Sequence, residues 1–216
     1  MTRLEEILRR ARERLEAKEE AKRRLEELTR GARVRAKRSI LLLHRGERGA
    51  AEEKLKEARG LLEEVGGLLR EYPEFSAHGG VAAAWEEYAE AKILKALGEE
   101  GDFPLPLEVP LESYLLALGD VVGELRRGVL DDLREDRFEG AEERLRRMEE
   151  IYDALVSTEE ASLLLKGMRR KIDVARGVIE ATRGDLALEA GRRRLARAIQ
   201  ELMERMGREG HGEVQG

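Results

Sequence analysis

Asp120 and Glu124 stand four residues apart in the segment LESYLLALGDVVGEL, residues 111 to 125. A turn of about 100° per residue puts Leu111, Leu115, Leu118, Val122 and Leu125 on one face, while Leu116, Ala117, Gly119 and Gly123 share the other with the two acids. A helix that is apolar or small nearly all round is a buried one. Two like charges one turn apart on it repel and need compensation. A second pair, Glu87 and Glu90, falls three apart on the side of residues 81 to 97 that carries Ala83, Leu94 and Leu97. A carboxylate buried without a partner costs several kcal/mol. Facing pairs around a hard divalent ion, Mg²⁺ or Mn²⁺, would meet that cost, and so would neutralisation by arginine. Glu86, Glu112 and Asp131 read as solvated.

Other site chemistries find little support. The chain has no cysteine, which excludes disulfides, thiolate metal sites and a cysteine nucleophile. Its three histidines, at 44, 78 and 211, are too scattered for a zinc cluster. His44 is expected to cap a helix end and His78 to sit in a turn. Neither acidic helix has the Glu-x-x-His motif of ferritin-like di-metal proteins. The all-α nucleotide pyrophosphohydrolases pair Glu-x-x-Glu with a later Glu-x-x-Asp, whereas the second pair here is Asp-x-x-x-Glu. Gly79 and Gly80 lack the pattern of a phosphate loop, and no strand precedes them.

Basic residues are concentrated locally in a chain of net charge −5. From Arg30 to Gly46, RGARVRAKRSILLLHRG contains Arg33, Arg35, Lys37, Arg38 and Arg45 and no acid. Two further clusters are Lys166, Arg169, Arg170, Lys171 and Arg176, then Arg192 to Arg194 with Arg197. Arginine forks and counterion release make phosphate the natural partner of such stripes, while a solvated helix face is the alternative, above all for the third. Aromatic residues are only 4% of the chain, too few to line an extended stacking groove, so backbone recognition is expected over base reading.

The elements that must carry these residues are helices. Charged residues are 40% of the 216 and hydrophobic residues 41%, and Leu, Glu, Arg, Ala and Gly dominate, which disfavours a sandwich or barrel of strands. Punctuation at Gly46, Pro73, Gly79/Gly80 and Gly184 divides the chain into seven expected helices: 2–44, 50–71, 79–98, 111–133, 137–156, 159–182 and 185–207. Gly101 to Pro110 is the one long loop. The expectation is therefore all-α, one helical domain over 1–207, and a disordered tail over 208–216. No apolar run approaches the length of a membrane span, and the opening sequence is charged and amphipathic, so a cytoplasmic location is expected. Asparagine is absent and arginine outnumbers lysine 32 to 9, a bias expected of a thermophile.

Four segments together resemble the translin/Trax family, and more closely its archaeal Trax-like members: AKRSILLLHR at 36–45, EEYAEAKIL at 86–94, DVVGELRR at 120–127 and KIDVARGVIEATRGDL at 171–186. In order and spacing they cover about residues 33 to 190. The family pattern Glu-Tyr-x-Glu matches Glu87 to Glu90, and Asp-x-x-Gly-Glu-Leu matches Asp120 to Leu125. The resemblance implies a seven-helix translin-like bundle that closes into a hollow oligomeric barrel, in the family usually an octamer. It implies a Mg²⁺- or Mn²⁺-dependent endoribonuclease whose metal and catalytic ligands are Glu87, Glu90, Asp120 and Glu124. Arg35, Lys37, Arg38 and Arg45 would hold single-stranded RNA, and single-stranded DNA as a further ligand. A translin-type protein that binds without cleaving, and less so a pyrophosphohydrolase, are the competing readings.

Overall fold

The computed structural model describes residues 2–158 and 165–212, and among them the regular structure is helical throughout. Helix α1 spans Arg3–His44 and opens on a capping box, in which the Thr2 hydroxyl accepts from the Glu5 amide and the Glu5 carboxylate accepts from the Thr2 amide. Its first turns are solvated and laced by pairs such as Arg9–Glu13 at 2.6 Å and Arg12–Glu16 at 2.7 Å. Each contributes a few tenths of a kcal/mol. Burial begins at Ala21 and continues through Leu25, Leu28, Ala32, Ala36 and Ile40, which form one stripe.

A left-handed Gly46 (φ +74°) turns the chain into α2, Arg48–Glu71. Ala32 and Ala36 on α1 and Ala51 and Ala58 on α2 are wholly buried, and the Ser39 hydroxyl donates to the Ala51 carbonyl at 2.8 Å. A 3-10 turn, Pro73–Ala77, drops Phe75 into a cluster with Ala21, Leu25, Leu28, Val65 and Val81. Full burial of a Leu or Phe side chain contributes about 1.5–3 kcal/mol. His78 then caps α3, Gly79–Glu99, by accepting from the Gly80 amide through Nδ1 at 3.2 Å. After the loop, fastened by the Tyr114 hydroxyl on the Pro104 carbonyl at 2.7 Å, α4 runs over Leu111–Arg134.

Two compact units divide the chain at the middle of α4. The first comprises Met1–Val121 with Glu159–Lys171, the second Val122–Thr158 with Ile172–Gly216. In the second, α5 spans Phe138–Ser157, and α6 spans Met168–Gly212, its first turn belonging to the first unit. Asp132 is buried there between Arg137 and Arg144.

Helix α6 differs from the expected pair of helices. Gly184 does not divide it, because one interior glycine costs only about 1 kcal/mol. Arg126 donates to the Thr182 hydroxyl at 2.7 Å and the Asp185 carboxylate at 2.8 Å, fastening both sides of Gly184. The helix also continues to Gly212, five residues into the segment expected to be a tail. Residues 159–164 of the expected sixth helix and 213–216 of the tail lie outside the described residues. No helix among the described residues is long and apolar enough to cross a membrane.

Candidate functional site

The rotation of α3 is set by its buried stripe, Val81, Ala84, Tyr88 and Ala91, which leaves Glu86, Glu87 and Glu90 together on a flank. Glu90 is itself buried at 9% exposure. Glu87 lies against α1, where its Oε1 is 3.0 Å from the Lys37 ammonium and 3.9 Å from the Arg33 guanidinium. Arg33 and Lys37 are one turn apart on α1, and the buried Arg33 Nε has no hydrogen-bond partner among the described residues.

Asp120 is held from α6. The Lys171 ammonium lies 2.5 Å from Asp120 Oδ2 and 3.4 Å from Glu86 Oε2. Gly119 makes this approach possible: a Cβ at that position would stand 2.8 Å from the Lys171 Cβ, well inside contact distance. All these residues belong to the first unit. Glu124 follows Asp120 by one turn of α4 and belongs to the second unit, where its carboxylate is about a quarter exposed and Arg127 lies 4.0 Å away.

The donor chemistry of Glu87, Glu90, Asp120 and Glu124 suits a hard divalent ion, being all carboxylate. Among the described residues, however, no three Asp, Glu or His side chains converge as a metal-binding group. Cationic side chains neutralise Glu87 and Asp120 instead.

The four basic residues selected from the sequence separate. Lys37 reaches Glu87. Arg35 points to α2, donating to Glu57 at 3.0 Å and to the Gly31 carbonyl at 3.2 Å. Arg38 is exposed. Arg45 caps α1 with its backbone N–H. In the second cluster Lys171 is turned to the acids while Arg176 donates to the Tyr152 hydroxyl. In the third, Arg192 pairs with Glu189 and Arg193 with Asp136, as expected of a structural face.

Glu86, Arg33 and Lys171 are the residues that sequence reasoning did not place at the acids. The sequence pattern suggests a solvated Glu86, yet its carboxylate is only 22% exposed and faces Lys171. Its signal was its place four residues before Glu90, one turn away on the same flank.

No family model matches the chain. An uncharacterized protein of Methanocaldococcus jannaschii is 31% identical over 138 residues, covering 62% of this chain and 60% of its own length. The chain thus spans about three fifths of the length of that curated relative. Among solved structures, the crystal structure of AfC3PO is 39% identical with a TM-score of 0.79, over 86% of this chain and 98% of that one. A complex of AfC3PO with duplex RNA gives 38% and 0.78, over 86% and 97%. Apo-NeC3PO, at 24% identity and a TM-score of 0.77 over 84% and 96%, shares the fold. The protein is thus of the all-α translin/Trax class by its fold. The chain belongs to the translin/Trax family, that of the C3PO RNase.

Proposed function

We propose that this protein is a metal-dependent endoribonuclease that binds RNA and cleaves single strands within a homo-oligomeric barrel. One observation carries the reading. Both acidic motifs of the Trax pattern, Glu87-Tyr88-Ala89-Glu90 and Asp120 to Leu125, are complete in a chain that matches AfC3PO over nearly all of that protein's length. A binding protein of translin type would not need the full set.

Glu87, Glu90, Asp120 and Glu124 would be the ligands of Mg²⁺ or Mn²⁺. The chemistry such an ion supplies when bound is activation of water and neutralisation of charge developing on the phosphate. The chain's own part is to present carboxylates from two helix flanks, fixed in rotation by buried Val81, Ala84 and Tyr88 on α3 and by buried Ala117 and Val121 on α4. Lys37 and Arg38 supply positive charge to the backbone of the substrate, with Arg35 before them on α1 and Arg45 at its C-cap. AfC3PO has been solved with duplex RNA. Recognition through the sugar-phosphate backbone accommodates a duplex as readily as a single strand. The single-strand preference of cleavage then rests on enclosure of the acids in the assembly, where single-stranded DNA could also bind.

Enclosure is supported by two apolar stripes. On α1, Leu4, Ile7, Leu8 and Leu15 are each more than half exposed, as are Leu195, Leu202 and Met206 on α6. Surfaces of this kind are covered by other subunits in symmetric assemblies. An octamer is the size we assign.

The test is to incubate the protein with labelled single-stranded RNA, duplex RNA and nucleoside triphosphates, each with Mn²⁺ or with EDTA. Mn²⁺-dependent endonucleolytic products from the single strand alone are expected. Tight RNA binding without turnover would return the protein to the non-catalytic reading, and release of pyrophosphate to the pyrophosphohydrolase one.

A further inference from the structure

Lys171 is placed with more care than a surface ammonium requires. Its side-chain stem passes α4 at Gly119, whose missing side chain leaves room for it. Its side chain is 21% exposed, and its ammonium is shared unequally, 2.5 Å from Asp120 and 3.4 Å from Glu86. Asp120 belongs to the acidic set of the Trax pattern. Glu86 does not.

An ammonium is a compact point charge with rotatable donors, so it can leave one carboxylate for another at little geometric cost, unlike a guanidinium fork. Without a divalent ion, the repulsion between Asp120 and its acidic neighbours needs a positive charge close by. Lys171 supplies it. With the ion bound, Asp120 would be turned to a stronger cation, and Lys171 would still be held beside the site by Glu86.

We propose that Lys171 is a tethered cation that holds Asp120 in the metal-free protein and gives it up when a divalent ion binds, with Glu86 as the second seat that keeps the ammonium next to the substrate phosphate. This rests on the metal-dependent reading above and adds two positioning residues to it.

The two seats predict opposite effects on metal affinity. Removing the competitor, Lys171→Met, should tighten Mn²⁺ binding about threefold, the scale of one part-exposed ion pair. Glu86→Gln should weaken it by a similar factor, because Lys171 then has only Asp120. Lys171→Arg keeps the charge but loses the easy exchange, so its affinity should be no higher than wild type. Titration of Mn²⁺ against the full-length protein, with free Mn²⁺ read by electron paramagnetic resonance, measures this without any turnover. In EDTA, Lys171→Met should melt lower than wild type, and Mn²⁺ should close the gap. Lys171→Gln gives the same readout if the methionine variant does not fold. Affinities within twofold of wild type for Lys171→Met, Lys171→Gln and Glu86→Gln, with binding still lost in Asp120→Asn, would overturn the tethered-cation role alone. Failure of the wild type to bind Mn²⁺ would overturn the metal-dependent reading beneath it as well.

Discussion

Two acids of helix α4, Asp120 and Asp132, are held in opposite ways. Asp132 is almost wholly buried in the second unit. Arg137 donates to its Oδ1 through Nε at 2.9 Å and Nη2 at 2.7 Å, and the Arg144 Nε donates to Oδ2 at 2.7 Å. Gly128 makes room for Arg144, whose guanidinium would be 2.7 Å from a Cβ there, and Gly140 does so for the Asp132 carboxylate at 3.0 Å. Asp120, in the first unit, has one lysine and a side chain 42% exposed. A buried carboxylate whose oxygens are filled by planar forks is committed to structure. A half-exposed one held by a single ammonium is available for exchange. Acidity and a neighbouring glycine are common to both, so it is the partner and the exposure that separate a structural acid from a candidate ligand.

Activity should separate them most sharply. Glu124→Gln and Asp120→Asn are expected to lower Mn²⁺-dependent cleavage on the order of 100-fold or more, the scale of losing one preorganised charge-stabilising group, with an unchanged circular dichroism spectrum. Asp132→Asn should leave the rate per folded molecule near wild type. Full activity in Glu87→Gln, Asp120→Asn and Glu124→Gln together would remove the acids from the site.

Stability should divide them the other way. Hydrogen bonds to a charged group contribute about 1.5–3 kcal/mol, and Arg137 and Arg144 remain partly solvated when the acid is neutralised, so Asp132→Asn should cost about 2 kcal/mol. In a chain of this length that lowers Tm by roughly 4–8 °C. Asp120→Asn should move Tm far less, because its pair is more exposed. Differential scanning calorimetry in EDTA reads both.

The basic residues of α1 offer a finer distinction. Lys37→Ala and Arg38→Ala should each flatten the dependence of log Kd for RNA on log salt by about one unit. Arg35 is occupied by Glu57. Its replacement should flatten the slope only if RNA draws it away, so an Arg35→Ala slope equal to wild type would assign it to the α1–α2 contact.

The smallest effect concerns a partly buried acid with no proposed part in the chemistry. Hydrogen bonds from Lys95, then Lys56, hold the Glu52 carboxyl below the usual glutamate range. A carboxyl whose folded-state pKa is depressed contributes stability that is present above its unfolded value and is lost as pH falls through the folded one. The Tm difference between wild type and Lys95→Met should therefore be present at neutral pH and shrink below about pH 4. A difference that persists in acid would point to packing of the lysine stem instead.

Local pattern determined most of the secondary structure. The helices over 3–44, 79–99 and 111–134 follow from apolar spacing with glycine and proline at the ends, because period and punctuation are properties of contiguous residues. The same logic exposed Glu87, Glu90, Asp120 and Glu124, since an acid on an apolar stripe is visible without coordinates. Gly184 looks like a break in sequence but is not one, because the offsetting bonds come from Arg126, 58 residues away in sequence. Partners were not legible either. That Lys171 would seat itself between Asp120 and Glu86, or that Arg35 would turn to Glu57 while Lys37 turned to Glu87, depends on which helices pack together and at what rotation. Asp132 was hidden for the same reason: a sequence position records a charge, but only packed neighbours decide whether that charge is locked in place or free to change partners.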